Sequence, residues 1–249
     1  MRTVKLVIAF RGTRYEGWQS QRGSANSPPR TIQELFEKIL HKLFKQHTPI
    51  VGSSRTDSGV HARGFVAHFR TKSPLSDATI LKALNFHLPE DVVVISARTV
   101  APEFHARFHA RSKVYRYEIW SHPIRPVFEA PFVLWHPGRL DLAAMRRAAR
   151  RLMGRHDFSA FRDRGDEREN AVRTVKRIVL RKKGPVIQID IEADGFLRHM
   201  IRVIVGTLME AGKGRRKPEE MTAVLGSKDR KSAGPTAKPH GLTLWKVRY

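Results

Sequence analysis

The chain has 249 residues, 41% of them apolar, enough for a real hydrophobic core and too many for a disordered chain. It has no cysteine, which excludes disulfides and thiolate metal sites and points to a reducing cytoplasm. Lys and Arg number 47 against 23 Asp and Glu, a formal net charge of +24, and a field of that sign and size makes nucleic acid the leading partner.

The opening MRTVKLVIAFRG lacks a secretory apolar region, and no stretch nears the ~20 apolar residues of a membrane helix. Val4–Phe10 reads as a strand. Thr31 and Glu34 form a capping box ahead of a helix with Ile32, Leu35, Phe36, Ile39, Leu40, Leu43 and Phe44 on one face. A short strand precedes RTDSG, and Phe65–Arg70 reads as another. Ser76 caps a helix that Pro89 ends, and Val92–Val100 is a further strand. This is the β-α-β-β-α-β order of a ferredoxin-like unit.

The order then recurs. Val114–Trp120 alternates as a strand, and Asp141 caps a helix running to Met153 and stopped by Gly154. Thr174–Arg181 and Val186–Ala193 flank a Lys183-Gly184-Pro185 turn. A long helix follows with Phe196, Leu197, Met200, Ile201, Ile204, Val205, Leu208 and Met209 at apolar spacing. A short helix near Pro218–Leu225 precedes a last strand, Leu242–Tyr249. The expectation is an α+β protein with two ferredoxin-like halves, 1–105 and 106–249, the last strand belonging to the second. Their boundary falls near 101–111, and a ligand cleft is expected between them. Three long polar loops, 20–30, 154–173 and 226–241, are expected to be functional.

Three segments carry candidate chemistry. In GSSRTDSGVHARG (52–64), Asp57 alone reads as an Asx turn. Arg55 before it and His61 after it, on a tight loop between strands, also fit a positioned nucleophile or base. In KVYRYEIW (113–120), Tyr115 and Tyr117 share a strand face. A tyrosine beside Lys113 and Arg116 fits either core packing or a base-stacking surface. In DGFLRHMIRVIVGTL (194–208), Arg198 and Arg202 share a helical stripe, and Arg202 sits among apolar neighbours, where it either snorkels or holds a carboxylate. His105 and His109 with Glu103 are weak grounds for a metal, and no P-loop, GxGxxG or HExxH is present, so neither metal nor nucleotide cofactor is expected.

Taken together, YEGWQSQ (15–21), TIQELFEKIL (31–40), RTDSGVHA (55–62), ALNFHLP, FHARF, YRYEI, DFSAFR (157–162), FLRHMIRVIVGTL (196–208) and AGPTAKPHGLTLWKVRY (233–249) resemble the tRNA pseudouridine synthase A family, nearly end to end. The resemblance implies two ferredoxin-like halves sharing an extended, mostly antiparallel sheet. It implies isomerisation of uridine to pseudouridine in the anticodon stem-loop, at tRNA positions 38 to 40, by a homodimer without cofactor. Asp57 would be the catalytic aspartate, Tyr115 would stack on the uracil, and Arg202 would pair with Asp57. Arg55 would contact or displace the RNA strand, and Leu244, less so Leu242, would pack under aspartate and base. His61 and Arg116 are expected to contact substrate. Arg11, Ser54, Phe65 and Thr243 depart from the usual family residues. The rival readings are a non-catalytic RNA-binding or chaperone protein on the same fold, which would have lost the aspartate, and a nuclease or methyltransferase, whose motifs are missing.

Overall fold

A computed structural model describes residues 1–20, 30–163, 165–166 and 170–249. The chain divides into two compact units, Met1–Arg111 with Thr243–Tyr249, and Ser112–Leu242. Both are α+β with mostly antiparallel strands.

The first unit begins with β1 (Arg2–Phe10), whose alternation buries Val4, Leu6, Ile8 and Phe10 on one face. α1 (Ile32–Phe44) starts at the capping box: the Thr31 hydroxyl accepts from Glu34 N–H, and the Glu34 carboxylate accepts from Thr31 N–H. It buries Ile32, Phe36, Ile39 and Leu40 and ends with Lys45 in the left-handed region. β2 (Ile50–Gly52), β3 (His61–Thr71), α2 (Asp77–His87) and β4 (Val92–Val100) follow. The Ser76 hydroxyl caps α2 by accepting from Thr79 N–H, and Ile80 and Leu84 face inward. The strands lie in the order β4-β1-β3-β2, each pair antiparallel, which is the ferredoxin-like arrangement. Each large apolar side chain buried here, such as Phe36 or Ile8, stabilises the unit by about 1.5–3 kcal/mol.

The second unit contains β5 (Ser112–Ser121), β6 (Leu134–His136), α3 (Leu142–Arg150), β7 (Gly154–Asp157), β8 (Val172–Lys183), β9 (Val186–Ala193), α4 (Met200–Gly212) and α5 (Met221–Ser227). Its sheet runs β6-β5-β9-β8-β7, antiparallel except for β6 beside β5. Within it β5, α3, β8, β9 and α4 repeat the β-α-β-β-α order. Asp141 caps α3 by accepting from Ala143 and Ala144 N–H, and Gly184, at φ 56°, turns the β8–β9 hairpin.

The last strand is β10 (Leu242–Arg248), as its alternation predicts. Its start pairs in parallel with the start of β3, Thr243 opposite His61 and Leu244 opposite Ala62, and Thr243–Tyr249 groups with the first unit. β2 covers the other end of the same β3 edge, at Ala67–Phe69. The helix expected from Phe196 begins only at Met200, because His199 has a φ of 60° and breaks the helical path. α3 likewise stops at Arg150, and the chain passes into β7 at Gly154. The 154–173 loop therefore holds a strand and a 3-10 turn at Ser159–Phe161, with Phe158 and Phe161 fully buried. Part of that loop (164, 167–169) and most of the 20–30 loop (21–29) lie outside the described residues. Among the described residues no helix is long and apolar enough to cross a membrane.

Candidate active site

The RTDSG loop spans the gap between β2 and β3, and a neighbouring segment of the first unit holds it on both sides of Asp57. Trp18 N–H donates to the Thr56 carbonyl at 3.3 Å. The Tyr15 carbonyl accepts from Gly59 N–H at 3.2 Å and from the Ser58 hydroxyl at 3.3 Å. Val60 N–H closes the turn onto the Asp57 carbonyl at 3.2 Å. The approach is so close that position 17 must be glycine: its φ is 91°, and a Cβ there would sit 2.2 Å from the Thr56 carbonyl oxygen. The result is a half-buried Asp57 on a loop whose backbone is fixed before and after it, beside an exposed Arg55.

That brace is itself anchored. Tyr15 donates its hydroxyl to Asp91 Oδ1 at 2.9 Å, and Arg14 Nε donates to Asp91 Oδ2 at 2.8 Å. Asp91 is buried, and burial followed by the carboxylate's proximity pushes the Tyr15 phenol well above its ordinary pKa, so it stays a donor. Trp18 stacks on Phe65 with ring centroids 4.1 Å apart, and a Cβ on Gly52 would meet the Trp18 ring at 2.6 Å. Phe65 is thus a core residue packed against Trp18. The hydroxyls of Ser53 and Thr56 are buried without a hydrogen-bond partner among the described residues.

His61 lies at the foot of the loop, buried, its Nδ1 accepting from Gly12 N–H at 3.0 Å. Leu244 is fully buried beside it, opposite Ala62. The first unit therefore gathers Asp57, Arg55, His61 and Leu244.

In the second unit, Tyr115 projects from β5 and is buried, edge-on to Phe196 at 5.2 Å. Tyr117 is fully buried and donates its hydroxyl to the Lys238 carbonyl at 2.7 Å. Arg116 points to the opposite strand face, where Nε and Nη2 grip the two Asp190 oxygens at 2.7 and 3.0 Å. Arg181 joins the same carboxylate at 3.0 Å.

Arg202 is half-buried on α4. Its Nε donates to the Ala237 carbonyl at 2.7 Å, and its own carbonyl accepts from Ala237 N–H at 3.0 Å. One turn on, Gly206 abuts the same loop, where a Cβ would lie 1.7 Å from the Pro235 carbonyl oxygen. The Thr207 hydroxyl accepts from Gly234 N–H at 2.9 Å. The motifs MIRVIVGTL and AGPTAKP, distant in sequence, are one hydrogen-bonded piece that fixes the Arg202 guanidinium. Arg198, on the expected stripe, is engaged differently: its N–H donates to Asp166 and its side chain meets Asp163.

Sequence reasoning missed Tyr15, Arg14 and Asp91. Nothing in spacing links Tyr15 to Asp91, and their partnership emerges only when β1 and β4 pair.

A ferredoxin-like sheet carrying a braced carboxylate loop, in so basic a chain, marks an enzyme that acts on RNA. The family model for tRNA pseudouridine synthase matches residues 6–109 and 148–249, and the chain belongs to that family, isomerases that convert uridine in tRNA to pseudouridine. Among curated relatives, tRNA pseudouridine synthase A of Geobacillus kaustophilus is 42% identical over 99% of this chain and 94% of its own length. tRNA pseudouridine synthase A 2 of Clostridium perfringens is 42% identical over the full length of both. A chain from a solved Cbf5-Nop10-Gar1 complex aligns over 96% of this chain and 57% of its own, at 11% identity and a TM-score of 0.39, too slight a likeness to inform the site.

Proposed function

We propose that this chain isomerises uridine to pseudouridine at positions 38 to 40 of the tRNA anticodon stem-loop, with Asp57 as the catalytic carboxylate. The observation that carries the reading is the Asp57 loop, pinned through Thr56, Ser58 and Gly59 so that the carboxylate needs no further ordering when substrate arrives. In the reaction the C1′–N1 bond breaks and a C1′–C5 bond forms. C5 loses its proton and N1 gains one, so no oxidant, reductant or cofactor is consumed. Asp57 either attacks C1′ or removes the 2′ proton, and both roles require it ionised.

Tyr115 stacks on the target uracil, and Arg202, fixed by Ala237, pairs with the Asp57 carboxylate. Arg55, exposed beside the aspartate, takes the space the flipped nucleotide leaves and offsets part of the unstacking cost of roughly a few kcal/mol. Leu244 forms the floor, and His61, buried at the foot of the loop, holds it beneath the substrate. Arg116 contributes positive charge from the far strand face. The two units act as separate halves of the enzyme, the first supplying the carboxylate and the second the tyrosine and arginine.

The working form is a homodimer in the cytoplasm. The segment around β6 supports self-association, because Ile124, Val127 and Phe128 are each exposed there and a lone protomer would leave them in water.

The test is pseudouridine mapping of unmodified tRNA treated with the wild-type protein and with Asp57→Asn, an almost isosteric change that removes the charge. The wild type should modify positions 38 to 40. The variant should lose at least ~10³-fold in rate, of the order seen when an acting group is removed, while keeping its melting temperature and tRNA affinity. Conversion by Asp57→Asn at a wild-type rate would remove Asp57 from the chemistry.

A further inference from the structure

The FHARF segment (104–108) is not used by the proposed chemistry, yet the first unit fixes it with unusual care. Ala106, fully buried, donates its N–H to His68 Nδ1 at 3.2 Å, and its carbonyl accepts the Tyr249 hydroxyl at 2.7 Å. From that anchor the chain turns outward. His105 Nδ1 accepts from both Arg107 and Phe108 N–H at 3.2 Å, and His109 Nδ1 accepts from His105 N–H at 3.3 Å.

The outcome is a phenyl ring held out into solvent. Phe108 is 74% exposed, and one face lies on the His105 imidazole with centroids 4.3 Å apart and planes 28° from parallel. The Arg107 guanidinium stands 5.8 Å from the ring centroid. Arg70, exposed near the end of β3, is close enough to act on His105. Burial, then His109, Arg107 and Arg70, keep His105 below its ordinary pKa and so neutral. A ring so exposed contributes little to folding. An aromatic face among cations on a strongly basic protein matches the chemistry of an unpaired nucleobase with its flanking phosphates.

We propose that Phe108, backed by His105 and flanked by Arg70 and Arg107, is a stacking platform for an unpaired base of the tRNA, apart from the target uridine. The separation follows from β3: His61, at the foot of the Asp57 loop, and His68, which anchors the platform, are seven positions apart. At ~3.3 Å per residue that is about 23 Å. Made equally in the ground and transition states, such a contact acts on KM and not on kcat.

The inference rests on tRNA being the substrate. The experiment compares the wild type with Phe108→Ala, Phe108→Leu and Phe108→Trp on full-length tRNA, measuring affinity against salt, kcat and KM, and oligomeric state. Losing a stacking ring costs about 5- to 150-fold in affinity. Ala and Leu should both lose that much, with KM raised alike and kcat unchanged, while Trp binds as well as the wild type. The salt slope should stay constant, since no phosphate contact is removed. The platform is overturned if Ala and Leu bind like the wild type. It is equally overturned if Leu alone restores binding, or if Ala changes the oligomeric state, which would place the ring against a second copy. Failure of the wild type to bind tRNA would instead sink the functional reading itself.

Discussion

The single interaction with most leverage on the Asp57 loop is the hydroxyl of Tyr15. It ties the brace to a buried Asp91, and removing it leaves one carboxylate oxygen in the interior without its donor. Tyr15→Phe should therefore destabilise by about 1–3 kcal/mol. At this chain length that lowers the melting temperature by ~2–4 °C per kcal/mol. An unchanged melting temperature would mean that Arg14 alone satisfies Asp91. At this scale the sequence was informative about chemistry and silent about support. Asp57, Arg55 and His61 stand within seven residues, so their association is visible in one motif. Tyr15 and Asp91 meet only through strand pairing. Arg116 shows the reverse difficulty: beside Tyr115 it reads as a substrate contact, yet alternation along β5 sends it to Asp190 on the other face.

Among the elements, α4 and the 233–238 loop form the tightest junction. A methyl group at Gly206 would lie 1.7 Å from a backbone oxygen, and a backbone cannot yield as a side-chain tip can. Gly206→Ala should cost ~3 kcal/mol or more. It should also impair catalysis in whatever fraction folds, because Ala237, which orients Arg202, moves with Pro235. Gly226→Ala is the control. That helical glycine has nothing within 4 Å, and alanine there should stabilise by up to ~1 kcal/mol. Comparable melting temperatures for the two variants would refute the close approach.

β3 carries a second elemental test in His68. Burial, then His105 and Arg70, hold its pKa at about 4, and its Nδ1 must be unprotonated to accept from Ala106. The unfolded chain takes up this proton near pH 6.5, the folded one only near 4. Between those values the unfolded state binds more protons, so acid favours it. The loss is absent above pH ~6.5, complete below ~4, and at most ~3 kcal/mol. His68→Gln can still accept from Ala106 and should flatten this limb. Denaturant titrations at pH 7, 5.5 and 4.5 decide it, and equal slopes for both proteins would acquit His68.

The elements were legible where local chemistry sets their limits. Thr31, Ser76 and Asp141 each mark a helix start, and each caps one. β6 and β7 were missed because three or four residues are too few to show alternation. The start of α4 was misjudged because apolar spacing continues unbroken through the His199 kink.

For the molecule as a whole, the net charge of +24 governs how it meets tRNA. With roughly six phosphate contacts, affinity should fall by about three orders of magnitude between ~50 and ~200 mM salt. A shallow slope in filter-binding assays would shift the weight of recognition to stacking and shape. Both ferredoxin-like repeats could be read in the order of elements. The partner of the last strand's start could not, since nothing in the alternation of Leu242–Arg248 announces its parallel pairing with His61 and Ala62.

That pairing sets a timetable for synthesis. A nascent chain can form β1 to β4 early, but the edge of β3 beneath the Asp57 loop stays bare while all of Ser112–Leu242 is translated. Until Thr243 and Leu244 emerge, the start of β3, where that loop ends, lacks its parallel neighbour. The unit that carries Asp57 is therefore complete only after the whole of the other unit has been made.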